Sequence, residues 1–401
     1  MKVALVVQGR FHAFDLAREL LARGHDVTVF TNYPQWAVSR FGLPTSAVRS
    51  CWTHGVADRA VRRLGGRAAD RWWEACSHRW FGTWAARELA RGSWDVIHAW
   101  SGVSKELLER RTSAARPLTV LMRGSAHIRT QDRLLAEEAA RVGCDVERPS
   151  PWMVQRECDE YGRVDAIAVL SDFAAKTFLQ EGVPADRIER LLLGVDTRDF
   201  TAATDVIGRR AQRIRSGVPL TVLFVGTVSY QKGVWDLIAA AREVTREPFI
   251  FDVVGELQDE VKRGLPDVPP NVRLRGKVAQ HQLPSVYAEA DLFLFPTIQD
   301  GFAMVLTQAL AAGVPVITTT NCAGPELVAD GVNGWVVPIR RPDLLVSRLR
   351  WCAAHRSQLA ELVTAMPAQP VRDWRAVAAD FEALVERRVA TQDRKAQLCR
   401  N

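Results

Sequence analysis

Residues 296–310 read PTIQDGFAMVLTQAL, and this stretch decides how the second half of the chain folds. The segment 291–295 (DLFLF) precedes it and predicts a buried strand, while apolar residues from Phe302 to Ala312 recur at helical spacing. The polar residues between them therefore lie at the carboxyl end of a parallel strand, where open α/β sheets bind ligands. A helix that begins near Gly301 would direct its positive end toward an anion.

Two polar side chains frame this predicted helix. Asp300 precedes it, and Gln308 lies about two turns further along on a similar face. With the helix start, these side chains could hold a diphosphate and sugar hydroxyls. The alternative is that Asp300 is an N-capping residue and Gln308 a surface residue.

A second strand-to-helix junction lies upstream, at residues 224–233 (FVGTVSYQKG). The pattern predicts a strand over 220–225, a loop over 226–233 and a helix over 234–244. Such a loop can aim backbone N–H groups and the Lys232 ammonium at a phosphate. The alternative is an ordinary turn with a solvated lysine. Only seven of the 53 basic residues are lysines, so the chain's bias toward arginine does not account for Lys232.

Strands alternate with helices in both halves of the chain, which predicts an α/β fold with parallel sheets. In the first half, strands are expected at 3–7, 25–30, 95–100, 118–122 and 165–170. Segments 163–171 and 289–297 are expected to occupy comparable places in the two halves. The polar, arginine-rich stretch 194–219 is typical of an interdomain connection. We therefore expect two facing Rossmann-like domains, 1–198 and 199–375, and a C-terminal helix, 376–401, that packs back toward the first.

Two loops of the first half follow predicted strands and face the expected cleft. They are residues 8–12 (QGRFH) and 123–128 (RGSAHI). Gly9 could let the backbone approach a phosphate or an acceptor, and His127 has a functional and a structural interpretation of equal weight. No Gly-x-Gly-x-x-Gly follows a strand and no P-loop is present, which argues against a dinucleotide-dependent oxidoreductase. No Asp-x-Asp pair or histidine cluster indicates a catalytic metal.

The overall composition narrows the class of protein. A chain of 401 residues predicts two to three domains, and 47% hydrophobic and 25% charged residues are ordinary for a globular protein. The seven cysteines are scattered without Cys-x-x-Cys spacing, which predicts reduced thiols and a cytoplasmic location. No apolar run is long enough to span a membrane, and the N-terminus is interpreted as a buried strand, not a signal peptide.

Segment 59–91 combines positive charge with aromatic residues. Tryptophan and arginine together suit a membrane interface that contains anionic lipid, which would make the protein peripheral at the inner face of the membrane. The alternatives are a long helix that packs its aromatic face on the sheet and a surface that holds a carbohydrate acceptor. Nucleic acid is not expected, since no recognised binding module accompanies the net charge of +7. The residues concerned are Arg59, Arg62, Arg63, Arg67, Arg71, Trp72, Trp73, Arg79, Trp80, Phe81, Trp84, Arg87 and Arg91.

Taken together, these segments resemble glycosyltransferase family 4, the retaining nucleotide-sugar enzymes with the GT-B fold. The resemblance covers nearly the whole chain. It implies a metal-independent hexosyltransferase without a cofactor, which moves a sugar from a nucleoside diphosphate sugar to a hydroxyl of a saccharide, a lipid-linked glycan or a natural product. The matching segments are 123–131, 160–174, 194–200, 225–234, 295–316 and 324–334.

The resemblance also implies roles for individual residues. The second domain would bind the donor and the first would bind the acceptor, with Arg123, Ser125 and His127 on the acceptor side. His127, Lys232 and Asp300 would be catalytic. The donor-binding residues would be Gly9, Arg10, Gly226, Thr227, Lys232, Val278, Asp300, Gly301, Phe302, Ala303, Met304, Val305 and Gln308.

The sequence departs from the family pattern at the donor site. The family has two glutamates with seven residues between them, and the same spacing here gives Asp300 and Gln308. Aspartate is shorter by roughly 1.5 Å, and a neutral amide binds ribose hydroxyls more weakly than a carboxylate does. Thr227 stands where the family commonly has an arginine. Another GT-B enzyme, such as an epimerase or a phosphorylase, and a non-catalytic binding subunit therefore stay open as alternatives.

Overall fold

A computed structural model describes residues 1–64, 66–110, 117–265, 267–366 and 371–398. Within them, two fully parallel sheets form separate cores, which confirms the predicted α/β, two-domain GT-B architecture. Each sheet is covered by helices, so its strands are near-continuous apolar runs, as parallel strands that are buried on both faces require.

The first domain is built on a seven-stranded sheet of order β3-β2-β1-β4-β5-β6-β7. In the middle of the sheet, Val3 lies opposite both Val27 and Val96. The strands are β1 (Lys2–Val7), β2 (Asp26–Thr31), β3 (Val48–Ser50), β4 (Val96–Trp100), β5 (Leu118–Arg123), β6 (Ala166–Val169) and β7 (Ile188–Arg190). The helices are α1 (Ala13–Ala22), α2 (Trp52–Leu64), α3 (Gly66–Leu89), α4 (Lys105–Glu109), α5 (Ile128–Val142), α6 (Pro151–Arg163) and α7 (Asp172–Gln180).

The second domain has a six-stranded sheet of order β10-β9-β8-β11-β12-β13. Its strands are β8 (Leu220–Val225), β9 (Phe249–Val254), β10 (Val272–Gly276), β11 (Leu292–Phe295), β12 (Val316–Thr319) and β13 (Gly334–Val337). The helices are α8 (Thr197–Phe200), α9 (Thr204–Arg215), α10 (Val234–Glu243), α11 (Asp259–Gly264), α12 (Leu283–Glu289), α13 (Met304–Ala311), α14 (Gly324–Leu327), α15 (Pro342–Ala354) and α16 (Arg356–Ala365). The last helix, α17 (Trp374–Leu398), follows them in sequence.

The two sheets share one strand order, which corrects the expected correspondence between the halves. In each sheet the first strand pairs with the second strand on one side and the fourth on the other. β11 therefore takes the place of β4, whereas the sequence pattern had equated segment 289–297 with segment 163–171, which contains β6. Similar apolar runs followed by a small polar residue do not identify a position within a sheet.

The arginine-rich stretch 194–219, which the sequence predicted to be an interdomain connection, is partly helical. Its middle part, Thr204–Arg215, forms α9, which packs against α16 of the second domain. Arg210 is fully buried, and its guanidinium donates to the carbonyl oxygens of Tyr287, Ala290, Ala312 and Gly313 at 2.6–2.8 Å. Burial lowers its pKa to about 10, so it stays charged at neutral pH. This arginine joins the ends of α12 and α13, which the composition of the stretch could not indicate.

The C-terminal helix α17 packs on the first domain although it follows the second in sequence. It contacts α1, and Trp374, Val377 and Phe381 belong to the core of the first domain. The chain passes between the two domains twice, once near Val195 and once near Arg372. These two segments are in contact beside α17, where the Val195 amide donates a hydrogen bond of 3.0 Å to the Arg372 carbonyl. A Cβ on Gly194 would lie 2.4 Å from the Asp373 carbonyl oxygen, so only glycine leaves room for the two segments to pack this closely.

Two buried histidines lie beneath α17. His98 on β4 is fully buried, with its ring 5.0 Å from Trp100 and 5.1 Å from Phe381. The ring of His12 also packs on Trp100, with the ring centres 5.0 Å apart, and its centre lies 6.3 Å from that of Trp374. Burial lowers the pKa of each histidine from 6.5 to about 3, so both rings are neutral in the folded chain at neutral pH.

We predict that the free energy of unfolding falls as the pH decreases from 6.5 toward 3. The unfolded chain takes up a proton at His98 near pH 6.5, whereas the folded chain takes it up only near pH 3. Each such histidine contributes a slope of about 1.4 kcal/mol per pH unit in this window. Urea unfolding at several pH values should therefore give a shallower slope for His98→Leu than for the wild type. The two slopes should coincide between pH 7 and 8, and equal slopes below pH 6 would contradict this assignment.

Candidate functional site

Lys232 and Asp300 form an ion pair at the carboxyl edge of the second sheet. The Lys232 Nζ lies 2.5 Å from the Asp300 Oδ2, and both side chains are about four-fifths buried. Lys232 follows β8 and Asp300 follows β11, and these strands are neighbours, so the topology brings the two junctions together. The two segments that the sequence singled out thus form one site.

The Asp300 carboxylate also sets where the next helix begins. Its Oδ1 accepts hydrogen bonds from the amides of Phe302 and Ala303, at 3.1 and 2.9 Å. Ala303 then adopts a left-handed conformation with φ 67°, and α13 begins at Met304. The sequence predicted a helix from Phe302, and this boundary was wrong because the carboxylate holds residues 300–303 in a turn. Two amides that were expected to face an anion are engaged by Asp300.

The loop that carries Lys232 packs tightly on the segment after β11. Gly233 has φ 78°, and a Cβ there would lie 1.9 Å from the Pro296 carbonyl oxygen. Gly226, which begins this loop, also has a positive φ, 152°, and the following Thr227 is exposed. Glycine is required at position 233, because the residue is left-handed and a side chain there would overlap the Pro296 backbone.

Gln308 lies on the exposed side of α13, next to a buried tyrosine. Its Oε1 accepts a hydrogen bond of 3.0 Å from the hydroxyl of Tyr287. An amide that replaces a carboxylate here avoids a buried charge beside Tyr287, and its oxygen still has a second lone pair. Val278, the expected base-binding position, is half-buried against the core of the second domain.

The loop that follows β5 in the first domain touches the residues on either side of Asp300. The Ser125 hydroxyl donates to the Gln299 Oε1 at 2.7 Å. Gly301 lies so close to the loop that a Cβ would be 2.2 Å from the Gly124 carbonyl oxygen. The predicted acceptor-side loop and the predicted donor signature are thus in direct contact.

A cleft of about 490 Å³ opens between the two domains next to this contact. Its wall includes Thr227, Gln231 and Lys232 from the second domain, and Arg123 and Glu157 from the first. Because both expected substrate loops contribute residues, the cleft fits the place where two substrates would meet.

Arg123 is held rigidly in the wall of this cleft. Its Nε contacts the Ala126 carbonyl and Glu157 at 3.2 Å, and its Nη2 donates to Gln131 at 2.6 Å. The hydroxyl of Tyr161 donates to the same Glu157 carboxylate. Sequence reasoning missed Glu157 and also Gln299. The sequence pattern that could have pointed to Glu157 is its spacing of four residues from Tyr161 on one helix, which places the two side chains next to each other.

His127 caps helix α5 and lies against an aromatic cluster. Its Nδ1 accepts from the Arg129 amide at 3.3 Å, and its ring centre is 4.9 Å from those of Tyr161 and Phe178. Burial lowers its pKa to about 4. His127 is thus a neutral imidazole at neutral pH, with a structural role as a cap in addition to any role toward substrate.

The loop after β1 is fixed by polar contacts at its base. The Gly9 amide donates to Asn32 and its carbonyl accepts from Thr31, both at 2.6 Å. Arg10 reaches across to the second domain, where it donates to Gln280 at 3.2 Å. The structure therefore places Gly9 and Arg10 on the side of the first domain that faces the second.

The basic aromatic segment forms two helices, α2 and α3, instead of one. Phe81 is buried and Trp84 packs on the first core, as the packing alternative predicted. Trp72, however, is 69% exposed and Trp80 is 39% exposed. The rings of Trp72 and Trp80 each lie 6.3 Å from that of Trp73, so the three tryptophans are contiguous. The side chains of Arg62, Arg67 and Arg71 lie outside the described residues.

The described part of the chain contains neither a candidate metal centre nor a membrane-spanning helix. No group of three or more histidine, cysteine, aspartate or glutamate side chains there has a geometry that could hold a metal ion. None of the helices in the described ranges combines the length and apolar content that crossing a bilayer demands.

Two family models match the chain and together span both domains. Residues 10–199 match the model described as Glycosyltransferase Family 4, and residues 219–355 match Glycosyl transferases group 1. Together the two matches support a glycosyltransferase of family 4 with the GT-B fold.

A curated relative and two solved structures extend this result. The putative colanic acid biosynthesis glycosyltransferase WcaL of Salmonella typhimurium is 28% identical over 204 residues, 47% of this chain. The match spans 48% of that relative, about half its length. Sucrose-phosphate synthase from Thermosynechococcus elongatus has the same fold, with a TM-score of 0.70, 18% identity and coverage of 98% of this chain and 100% of that one. Anabaena Alr3699/HepE in complex with UDP and glucose also has this fold, with a TM-score of 0.63 and 16% identity. The alignment covers 96% of this chain and 99% of that one.

We predict that Gly301→Ala lowers the free energy of unfolding by about 1–3 kcal/mol, because the new methyl group would overlap the Gly124 backbone. Gly124→Ala is the matched control, since a Cβ at Gly124 meets nothing within 4 Å. Its stability should stay within about 0.5 kcal/mol of the wild type. Denaturant unfolding measures both variants, and equal stabilities would show that the domains do not meet at Gly301 in solution.

Proposed function

We propose that the protein is a retaining, metal-independent glycosyltransferase that moves a sugar from a nucleoside diphosphate sugar to a hydroxyl of an acceptor. The observation that carries the proposal is the Lys232–Asp300 pair, which lies at the edge of the interdomain cleft and at the start of α13. One cation and one carboxylate at that point match the two needs of the reaction, since the leaving group is anionic and the sugar carries hydroxyls.

Lys232 would stabilise the diphosphate as it leaves. Its ammonium is paired with Asp300, so a bound diphosphate would replace one anionic partner with another. The amides of Met304 and Val305 begin α13 and have no partner within the helix, so they add positive potential at the same place. Charge that develops on the leaving oxygen is thereby met by groups already in position.

Asp300 would then accept hydrogen bonds from the sugar hydroxyls. Its Oδ1 stays bonded to the turn amides, which holds the carboxylate in place when Lys232 turns to the phosphate. Gln308 would accept a hydrogen bond from the ribose, and backbone groups near Val278 would contact the base. Gly226 and Thr227 would approach the phosphates through the backbone.

On the acceptor side, Gly9, Arg10, Arg123, Ser125 and His127 would line the reacting centre. His127 would act as a neutral hydrogen-bonding group, because its pKa of about 4 leaves no proton to donate at neutral pH as an acid. By resemblance to family 4, a phosphate oxygen of the donor accepts the proton of the acceptor hydroxyl on the face that the leaving group occupies. Configuration is then retained without a protein nucleophile, through an oxocarbenium-like transition state.

The acceptor is proposed to be a saccharide, a lipid-linked glycan or a natural product hydroxyl. The name of the Salmonella relative refers to biosynthesis of a polysaccharide, which supports the first two classes. An epimerase with the same fold would convert the donor sugar without an acceptor, and a non-catalytic subunit would bind the donor without turnover. Product analysis with donor alone separates these alternatives.

We predict that Lys232→Ala weakens binding of the nucleoside diphosphate by roughly 10- to 150-fold, since a charged hydrogen bond of about 1.5–3 kcal/mol is lost. The donor is first identified by thermal shift with UDP-glucose, ADP-glucose and GDP-mannose, because a bound ligand raises the melting temperature. Calorimetry with the matching diphosphate then measures affinity, and donor hydrolysis measures turnover.

Lys262→Ala is the matched control for this experiment. Lys262 is an exposed lysine of the same domain, and its ammonium pairs with Asp259 at 2.9 Å. Its affinity and turnover should equal those of the wild type. If Lys232→Ala keeps wild-type affinity and turnover, the phosphate role of Lys232 is wrong. If no nucleotide sugar binds the wild type, the proposed function is wrong.

A second proposal concerns the contiguous tryptophans Trp72, Trp73 and Trp80, which we infer to contact an anionic membrane at its inner face. Arg59 and Arg63 of the neighbouring helix α2 are exposed and supply positive charge. Indole rings and arginines together suit the headgroup region of a bilayer. A membrane at this surface would bring the enzyme to a lipid-linked acceptor.

We predict that the double variant Arg59→Gln, Arg63→Gln partitions less onto vesicles that contain phosphatidylglycerol, by about 1 kcal/mol per arginine. Co-sedimentation measures the effect, with phosphatidylcholine vesicles as the neutral reference. The matched control is Arg209→Gln, Arg215→Gln, two exposed arginines of α9 on the other domain. Equal partitioning of the two double variants would leave the exposed tryptophans without a membrane role.

A further inference from the structure

The residues on both sides of Asp300 are fixed by the first domain. Gln299 accepts a hydrogen bond of 2.7 Å from the hydroxyl of Ser125, and Gly301 abuts the Gly124 backbone. Asp300 lies between these two contacts. The position of its carboxylate therefore depends on a loop that belongs to the other domain.

Gln299 itself is an unusual residue for its location. Its side chain is fully buried at the domain contact, where an apolar residue would pack without needing a partner. Its Oε1 is bonded to Ser125, whereas its Nε2 is buried without a hydrogen-bond partner among the described residues. A buried amide that is only half satisfied lowers stability, so its presence calls for another explanation.

The rest of Gln299 connects this contact to the loop that carries Lys232. Its backbone carbonyl accepts from the Thr297 hydroxyl at 3.0 Å and from the Gln231 side chain at 3.5 Å. Gln231 directly precedes Lys232, and Lys232 pairs with Asp300. Ser125 is thus hydrogen-bonded to Gln299, and Gln299 to Gln231, and these two glutamines are the chain neighbours of Asp300 and Lys232.

We propose that Gln299 and Ser125 are positioning residues, whose interdomain hydrogen bond sets the geometry of Asp300 toward the donor sugar. The proposal rests on the proposed function. In this arrangement the second domain alone binds the diphosphate through Lys232, but its sugar site is complete only when the first domain is docked. Turnover therefore depends on the contact, and binding of the diphosphate does not.

Two variants test the hydrogen bond from its two ends, Ser125→Ala and Gln299→Leu. We expect kcat for donor hydrolysis to fall about 10- to 100-fold in each, because small displacements of a positioned group carry costs of that size. The Kd of the nucleoside diphosphate should stay within about twofold of the wild type, since the Lys232 ammonium is unchanged. Ser125→Thr, which keeps the hydroxyl, should restore most of the kcat.

Glu137→Gln is the matched control. It weakens another interdomain contact, the 2.8 Å pair between Glu137 and Arg340, which does not touch residues 299–301. Its kcat and Kd should equal those of the wild type. A general loss of domain docking would instead lower kcat in Glu137→Gln as well, and this would overturn the proposal.

The remaining outcomes distinguish failure of the positioning role from failure of the proposed function. If the wild type binds and hydrolyses a donor but Ser125→Ala and Gln299→Leu keep its kcat, the positioning role is wrong and the proposed function stands. If diphosphate affinity falls together with kcat, the contact supports the whole site instead of Asp300, and the proposal is again wrong. If the wild type binds no nucleotide sugar, the proposed function fails and the positioning role fails with it.

Discussion

The short carboxylate of Asp300 is the group on which the rest of the site depends. One oxygen accepts hydrogen bonds from two backbone amides in the turn before α13. The other oxygen pairs with Lys232, which lies in the neighbouring strand-to-helix junction. Because β8 and β11 are adjacent in a parallel sheet, their carboxyl ends deliver both junctions to one edge. The pair therefore joins two segments that are nearly 70 residues apart in sequence.

The same carboxylate explains how a family pattern can change without losing its architecture. A longer side chain at this position would reach further toward a substrate, but it could not hold the Phe302 and Ala303 amides in the same short turn. Aspartate is the residue whose side chain bonds amides two and three residues ahead of it. In this chain, Asp300 bonds the turn that precedes α13, whose N-cap is Ala303, and the ligand-binding role of Asp300 stays a prediction.

Much of the fold could be predicted from the sequence, because parallel strands that are buried on both faces are continuous apolar runs. β1, β5 and β8 were found within one or two residues of their ends. Helix α9 was missed, since its hydrophobic residues are few and its decisive side chain is Arg210, whose partners are carbonyls 77 to 103 residues away. No local pattern reports a buried arginine that is satisfied by distant backbone.

The site shows the same difference between residues that a local sequence pattern reveals and residues that only distant contacts reveal. Lys232, Asp300 and the 123–128 loop could be singled out because each follows a strand and breaks its apolar pattern. Gln299 could not, because a glutamine between Ile298 and Asp300 is an ordinary loop residue until a second domain covers it. Its importance arises from the contact with Ser125, which is a property of how two domains dock and not of either segment. Sequence patterns thus locate candidate ligand-facing groups at the ends of strands, whereas the side chains that contact those segments from the other domain become evident only from the packing between domains.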